Sequence, residues 1–338
     1  MQLMDYPADE SIQTKLDWLE LKCLTDEYFF YRLSDFAGLL DTLEQYDSSD
    51  VALEDAGVES EIDVLIQELT KRAQYLDDSY PFELEEDLGI KLKFDNMGSL
   101  SASQMTYLYC LIFSHVSKSR IFEGLPARIP NEDRDLMQVA STIAMSGFIG
   151  QAHSVSFGFP RPDGSNFYDA LKDTLGRMGE GRLKSKDTVN TALLNNDGTK
   201  DGGIDVITWK DTTKDPLPAG KLIVFSQVAS GLNWRNKAVK SDIERIQNHW
   251  LERRITRVHD AMCIPFDLEM CEGMTIEDQA ELIGDEFGYF LYRLRLPRYF
   301  EMGLNASQEN PDLLVQRVDD IGLIAQYVTG VRQKLTAA

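Results

Sequence analysis

Two neighbouring segments constrain this chain more than any others. KLIVFSQV (221–228) is apolar over almost the whole length of a strand, the pattern of a strand covered on both faces and central in its sheet. IDVITW (204–209) alternates β-branched and polar residues behind Gly202–Gly203, and the turn-rich stretch KDTTKDPLPAG (210–220) joins the two. The chain therefore needs a sheet with covering layers, and the elements around these strands must supply them. A polar residue, Gln227, sits near the end of the apolar strand and needs hydrogen-bond partners if buried.

The spacing of leucines and phenylalanines predicts helix over 12–46, with a polar, acidic loop or short exposed helix over 47–60 and an amphipathic helix over 61–76. Pro81, Gly89 and Gly98 break the pattern through 79–100. A helix is expected over 104–117, capped by Ser101 or Ser103, and another over 131–149 with Asn131 as N-cap. VSFGFPRPDGSNF (155–167) reads as a loop, 166–178 as a helix ending at Gly179 or Gly181, and 188–195 as a short strand. A long Arg- and Lys-rich helix is expected over 236–256, a strand over 261–268, and helices over 276–294 and 310–335. The order predicts an α/β fold: an acidic α-helical N-terminal domain (1–150) and a mixed-sheet domain with C-terminal helices (151–338). A length of 338 residues suits about two domains.

Charge divides along the same line. The net charge is −22, and residues 1–100 carry 25 acidic against 7 basic side chains. That excess argues against nucleic-acid binding by bulk charge but leaves a local basic groove open in the second half. The N-terminal region reads as a soluble helical domain with a solvated acidic face, as a docking face for a basic partner, or as a shield over the second half. MQLMDYPADE lacks the basic-then-apolar pattern of a signal peptide, and no apolar run approaches the ~20 residues that span a bilayer, so no membrane contact is expected. The four cysteines are scattered with no CxxC pair, which indicates neither a zinc site nor a disulfide framework; a cytoplasmic location fits. The histidines show no ligand spacing. Gly198-Thr199-Lys200 lacks the upstream glycine of a phosphate-binding loop, so ATP hydrolysis is not expected.

If the strands at 204–209 and 221–228 are adjacent, Asp205 and Gln227 project from one end of the sheet toward a shared point. Glu180, which closes a helix in LGRMGEGR, is placed to reach it as well. Carboxylates with an amide oxygen are hard ligands that suit Mg²⁺ or Mn²⁺ rather than Zn²⁺. Each feature also has a plainer explanation: DGGID as a turn, Glu180 as a surface acid, Gln227 as a structural amide, the Arg-rich helix as a solvated face.

DGGIDVI followed by a strand ending in Gln resembles the PD-(D/E)xK nuclease superfamily, most nearly its Mrr-type restriction-endonuclease branch, over roughly 165–270. The resemblance implies a restriction-endonuclease-like core. Asp205 is then the main metal ligand, Gln227 positions metal or water, and Glu180 is the helix-borne acid. The family's lysine belongs two residues after Gln227, where this chain has Ala229. Some members move that lysine to the following helix, which points to Lys237, with Lys240 as second choice. Arg182, Lys184, Arg235 and Lys240 are the expected phosphate-binding residues. The implied activity is Mg²⁺- or Mn²⁺-dependent DNA cleavage, as an effector of prokaryotic defence against phage or plasmid DNA. An NTPase or second subunit is the implied protein partner, and a homo-oligomer stays open. Ala229 keeps a rival in play: an inactive nuclease-fold interaction subunit.

Overall fold

The computed structural model describes all residues except 45–50, 86–88, 119, 162, 190–198, 212–219, 270, 272 and 338. The chain is mixed α/β and divides into two compact units, Met1–Ile129 with Leu323–Ala338, and Pro130–Gly322. The division differs from the expected boundary at 150. The helix over 131–149 packs on the second unit's sheet and so belongs with it. No described helix is long and apolar enough to cross a membrane.

The first unit contains β1 (Gln2–Leu3), α1 (Ile12–Thr25), β2 (Phe30–Arg32), α2 (Leu33–Glu44), α3 (Val51–Leu76), β3 (Phe82–Glu85), β4 (Gly89–Leu92), α4 (Ala102–Lys118) and β5 (Phe122–Glu123). The helical pattern over 12–46 is interrupted: Asp26 ends α1, its carboxylate takes the Tyr28 amide at 2.8 Å, and β2 then joins an antiparallel sheet in the order β2-β4-β3. Of the stretch 47–60, residues 51–60 are helical within α3, and 47–50 lie outside the described residues. Ser101 caps α4 as expected: its hydroxyl accepts from the Gln104 amide at 3.2 Å while Gln104 Oε1 accepts from the Ser101 amide at 2.9 Å. Not all the acids face solvent. Arg72 pairs with Asp17 at 2.7 Å and with Glu20 at 2.8 Å, and all three are buried. Tyr80 and Tyr107 each donate to Glu20 at 2.7 Å, so the carboxylate is both paired and hydrogen-bonded.

The second unit runs α5 (Asn131–Ile149), β6 (His153–Ser156), α6 (Phe167–Met178), β7 (Arg182–Leu183), α7 (Lys186–Val189), β8 (Val206–Lys210), β9 (Leu222–Val228), α8 (Val239–Arg245), β10 (Leu251–Arg253), β11 (His259–Cys263), α9 (Ile276–Phe287), β12 (Tyr289–Leu291) and α10 (Leu296–Glu309). Its sheet has the order β12-β11-β9-β8-β6. β6, β8 and β9 are antiparallel neighbours, and β11 and β12 run parallel to β9. The apolar strand β9 is central, as its composition demands. One face of the sheet, with Val155, Ile207, Trp209, Ile223 and Phe225, shares a buried core with Phe167, Leu171 and Leu175 of α6 and Val239 and Ile243 of α8. Ser154, Thr208 and Ser226 alternate with these, and α5 packs on β6, β8 and β9. α5 and α10 approach backbone to backbone, because a Cβ at Gly147 or Gly303 would strike the opposite helix's main chain. The last helix, α11 (Ile321–Thr336), is grouped with the first unit from Leu323 onward.

Several boundaries differ from the sequence reading. The expected helix over 236–256 stops at Arg245. A π-helical turn (Ile246–Trp250) follows, and then β10, which pairs with β7 because Trp250 and Leu251 turn into the apolar core. Residues 188 and 189 end α7 rather than open a strand, and the rest of 188–195, like most of 210–220, lies outside the described residues. The helix expected over 276–294 ends at Phe287, and Tyr289–Leu291 forms an edge strand. The strand expected over 261–268 occupies 259–263. Pro130 rather than Asn131 occupies the N-cap of α5, with no side-chain cap.

Candidate functional site

The β8–β9 ladder pairs Val206 with Ser226 and Ile207 with Phe225. Asp205 stands one residue before this ladder, at the end of the sheet where β9 closes with Gln227 and Val228. The two residues singled out from sequence are thus brought together at one end of the sheet. The backbone of Asp205 is fixed from both sides: its amide donates to Ser226 O at 2.8 Å, and its carbonyl accepts from the Phe157 and Gly158 amides at 2.7 and 2.9 Å. Its carboxylate Oδ2 accepts from the Val228 amide at 2.8 Å.

Burial pushes the Asp205 pKa up to about 7; the Val228 amide and Lys237 draw it back down, while Asp201 and Asp242 raise it. A rim of the residue still reaches solvent. Gln227 is buried, its Nε2 donating to Asp242 Oδ2 at 2.6 Å. Its Oε1 has no hydrogen-bond partner among the described residues. A buried amide oxygen without a donor, near a carboxylate that is costly to ionise, has the donor chemistry to accept a cation. One carboxylate and one amide oxygen fit Mg²⁺ or Mn²⁺, which are commonly held by one or two carboxylates together with substrate phosphate. Among the described residues, no group of three or more His, Cys, Asp or Glu side chains is arranged to hold a metal by itself.

Two participants escape sequence reasoning. Asp242, on α8, links Gln227 to Arg245, which it meets at 2.8 Å, and Arg245 in turn donates to Gly202 O at 2.8 Å. Here the Gly-Gly pair finds its cause. Gly203 adopts φ +85°, and a Cβ there would collide with the Asp242 carboxylate; Gly202 adopts φ +67° against the Phe167 ring. The glycines before the strand are thus the sequence signal for Asp242, but they do not say which acid approaches them. Gln138 on α5 donates to Ser156 Oγ at 3.1 Å and to the Asp205 carbonyl, bracing the strand end. A Cβ at Gly158 would lie 2.7 Å from Gln138 Oε1 and 2.9 Å from Asp205 Oδ1, so the chain passes directly over the carboxylate.

Lys237 follows a short helical turn (Trp234–Asn236), exposed, and close enough for its charge to act on Asp205. Position 229 is closed to such a role. Ala229 is buried in one apolar cluster with Trp234, Met262 and Ile264.

Glu180 is elsewhere. Its Oε1 accepts from the Thr256 amide at 2.6 Å. The end of α6 is tied to Lys221 through Met178 O at 2.7 Å, at the start of β9, whereas Gln227 stands near its end. Six residues of strand separate the two, about 20 Å. Lys240 donates to Asp285 O in the last turn of α9, so it serves that helix end. Lys184 donates to Asn248 O and His249 O at 2.9 and 2.8 Å, satisfying the end of the π turn. Arg182 pairs with Glu252 at 3.0 Å on the exposed β7–β10 ribbon. Arg235 lies over the Trp234 ring at 4.6 Å, exposed and near Lys237 in the chain. Of the expected phosphate-binding residues, only Arg235 lies on the loop between Gln227 and Lys237. Comparison with protein-family models, with curated proteins and with solved structures finds no match.

Proposed function

We propose that the second unit is a metal-dependent DNA endonuclease with a restriction-endonuclease-like core of the PD-(D/E)xK type. The observation that carries the reading is Asp205 at the same end of the sheet as Gln227, whose Oε1 has no partner among the described residues, with the Lys237 charge acting on Asp205. The antiparallel pair β8–β9 following α6 and followed by α8 supports it, since the resemblance implies a helix, then strands bearing Asp and Gln, then a helix; the third antiparallel strand, β6, precedes α6 instead of following it.

Asp205 and Gln227 Oε1 are the residues that would hold Mg²⁺ or Mn²⁺. When bound, such a cation polarises a phosphoryl oxygen and lowers the pKa of bound water. The protein's own groups do the positioning. The Val228 amide fixes the Asp205 carboxylate. Asp242 takes the Gln227 amide nitrogen and so turns Oε1 into the site. Lys237 offers its ammonium to the charge that develops on the phosphate. Arg235 is placed to meet a neighbouring phosphate. The acid excess of the first unit favours docking of a basic surface on a partner such as an NTPase or second subunit. A role in defence against phage or plasmid DNA rests on the resemblance alone.

The buried Ala229 favours a second reading, a nuclease-fold subunit that binds a partner without cutting. A supercoiled-plasmid nicking assay in Mg²⁺ and in Mn²⁺ separates the two. Nicking by the wild type and none by Asp205→Asn supports the endonuclease. Intact plasmid with both metals supports the interaction subunit.

A further inference from the structure

The antiparallel pairing of β6, β8 and β9 gathers three loops at the Asp205 end of the sheet: 157–161 with 163–165 after β6, 199–204 before β8, and 229–238 after β9. Two of them hold a large apolar side chain in solvent, Phe159 at 50% exposure and Leu232 at 57%. Isolated exposed apolar residues are ordinary and need no explanation. Phe159 differs because its backbone is clamped on both sides. Before it, the Phe157 and Gly158 amides are bonded to the Asp205 carbonyl. After it, the buried guanidinium of Arg161 donates to Ser165 O at 3.1 Å and Lys200 O at 2.8 Å, and stacks 4.7 Å from the Phe157 ring centre. An arginine is buried here to hold backbone carbonyls rather than a carboxylate, and the segment it braces carries an aromatic ring outward.

The backbone that carries the ring is also close to Asp205. A Cβ at Gly158 would lie 2.9 Å from Asp205 Oδ1. With ~3.8 Å between successive Cα atoms, the Phe159 Cα lies within about 8 Å of that oxygen. The Lys200 ammonium is 5.8 Å from the Phe159 ring centre, and Lys237 and Arg235 are exposed on the loop that carries Leu232. An apolar ring with the Lys200 ammonium over it, on a loop next to the proposed site, matches a nucleotide, whose base has a π face and whose phosphate is charged.

We propose that Phe159 is a stacking platform for an unpaired base adjacent to the phosphate at Asp205, with Leu232 as an apolar wedge on the neighbouring loop. The inference rests on the endonuclease reading and names its substrate class: single-stranded or locally unpaired nucleic acid rather than intact duplex. Aromatic side chains stack on any base with little sequence preference, and apolar wedges act by opening base steps. A closed duplex offers no free base face to a ring.

The test is fluorescence anisotropy in EDTA at low salt, with a short labelled oligothymidylate and a labelled duplex of equal length. Wild type binds the single strand more tightly. Phe159→Ala weakens single-strand binding by about tenfold and leaves duplex binding nearly unchanged. Phe159→Trp keeps the affinity, and its new indole emission is quenched on binding. Thermal unfolding checks that both variants fold as the wild type does. Unchanged single-strand affinity in Phe159→Ala overturns the proposal, as does an equal loss on both probes. If the wild type nicks plasmid with Mn²⁺ yet favours duplex, the stacking site is wrong and the endonuclease reading stands. A wild type that neither binds nor nicks removes the endonuclease reading and the subsite with it.

Discussion

Replacing Asp205 by Asn should stabilise the metal-free protein, and the gain should grow with pH. In the fold its pKa is raised from the ordinary 3.8 to about 7, burial being the largest cause. A folded-state pKa above the unfolded one means that the native state holds the proton more tightly between those values. Stability therefore falls as pH rises through that window and levels off above it. The full shift of roughly three pH units corresponds to about 4 kcal/mol, and the solvent rim at Asp205 brings the expected gain to about 2–4 kcal/mol at pH 8. Asn removes the charge yet keeps an oxygen to accept from the Val228 amide, whereas Ala would leave that donor unsatisfied. Urea unfolding in EDTA at pH 5 and pH 8 measures the effect. Asp205→Asn should exceed the wild type at both values, with the larger margin at pH 8. A margin that shrinks with pH, or a variant less stable than wild type at pH 8, refutes the argument that burial outweighs the favourable contacts.

Lys237→Ala should lower plasmid cleavage about 10²-fold, as expected for one lost electrostatic contact, with unfolding unchanged because the side chain is exposed. Adding Ala229→Lys should not rescue it but should lower the melting temperature, since position 229 lies in the Trp234 cluster. Asp242→Ala should weaken Mn²⁺ binding about 10–100-fold in a calorimetric titration by freeing the Gln227 amide, and Asp242→Asn, which retains an acceptor, should restore most of it. Gly203→Ala should cost about 1–3 kcal/mol or more in urea unfolding, because its φ of +85° and the Asp242 carboxylate both exclude a side chain.

The parts of this site legible in the sequence are those that a two-residue period and local glycines encode. β9 declares itself by its apolar run, and the strand pattern around Asp205 and Gln227 puts both at one end of the sheet. The site's tertiary partners were not legible. Asp242 lies on a helix among other charged residues, and nothing in its spacing separates it from a solvated acid. Gln138 comes from a helix that the boundary at 150 had assigned to the other domain. Glu180 illustrates the opposite error: a carboxylate close to the motif in sequence, but held by Thr256 at the far end of β9. The basic stretch 236–256 reads as one long helix because Arg and Lys favour helix, while the burial of Trp250 and Leu251 bends the chain into β10.

Mn²⁺ titration followed by electron paramagnetic resonance, on wild type, Asp205→Asn and Glu180→Gln, tests most directly whether Asp205 and Gln227 form a cation site. The account predicts binding by the wild type and by Glu180→Gln with equal affinity, and loss of that binding in Asp205→Asn. Binding that survives Asp205→Asn but disappears in Glu180→Gln would contradict it.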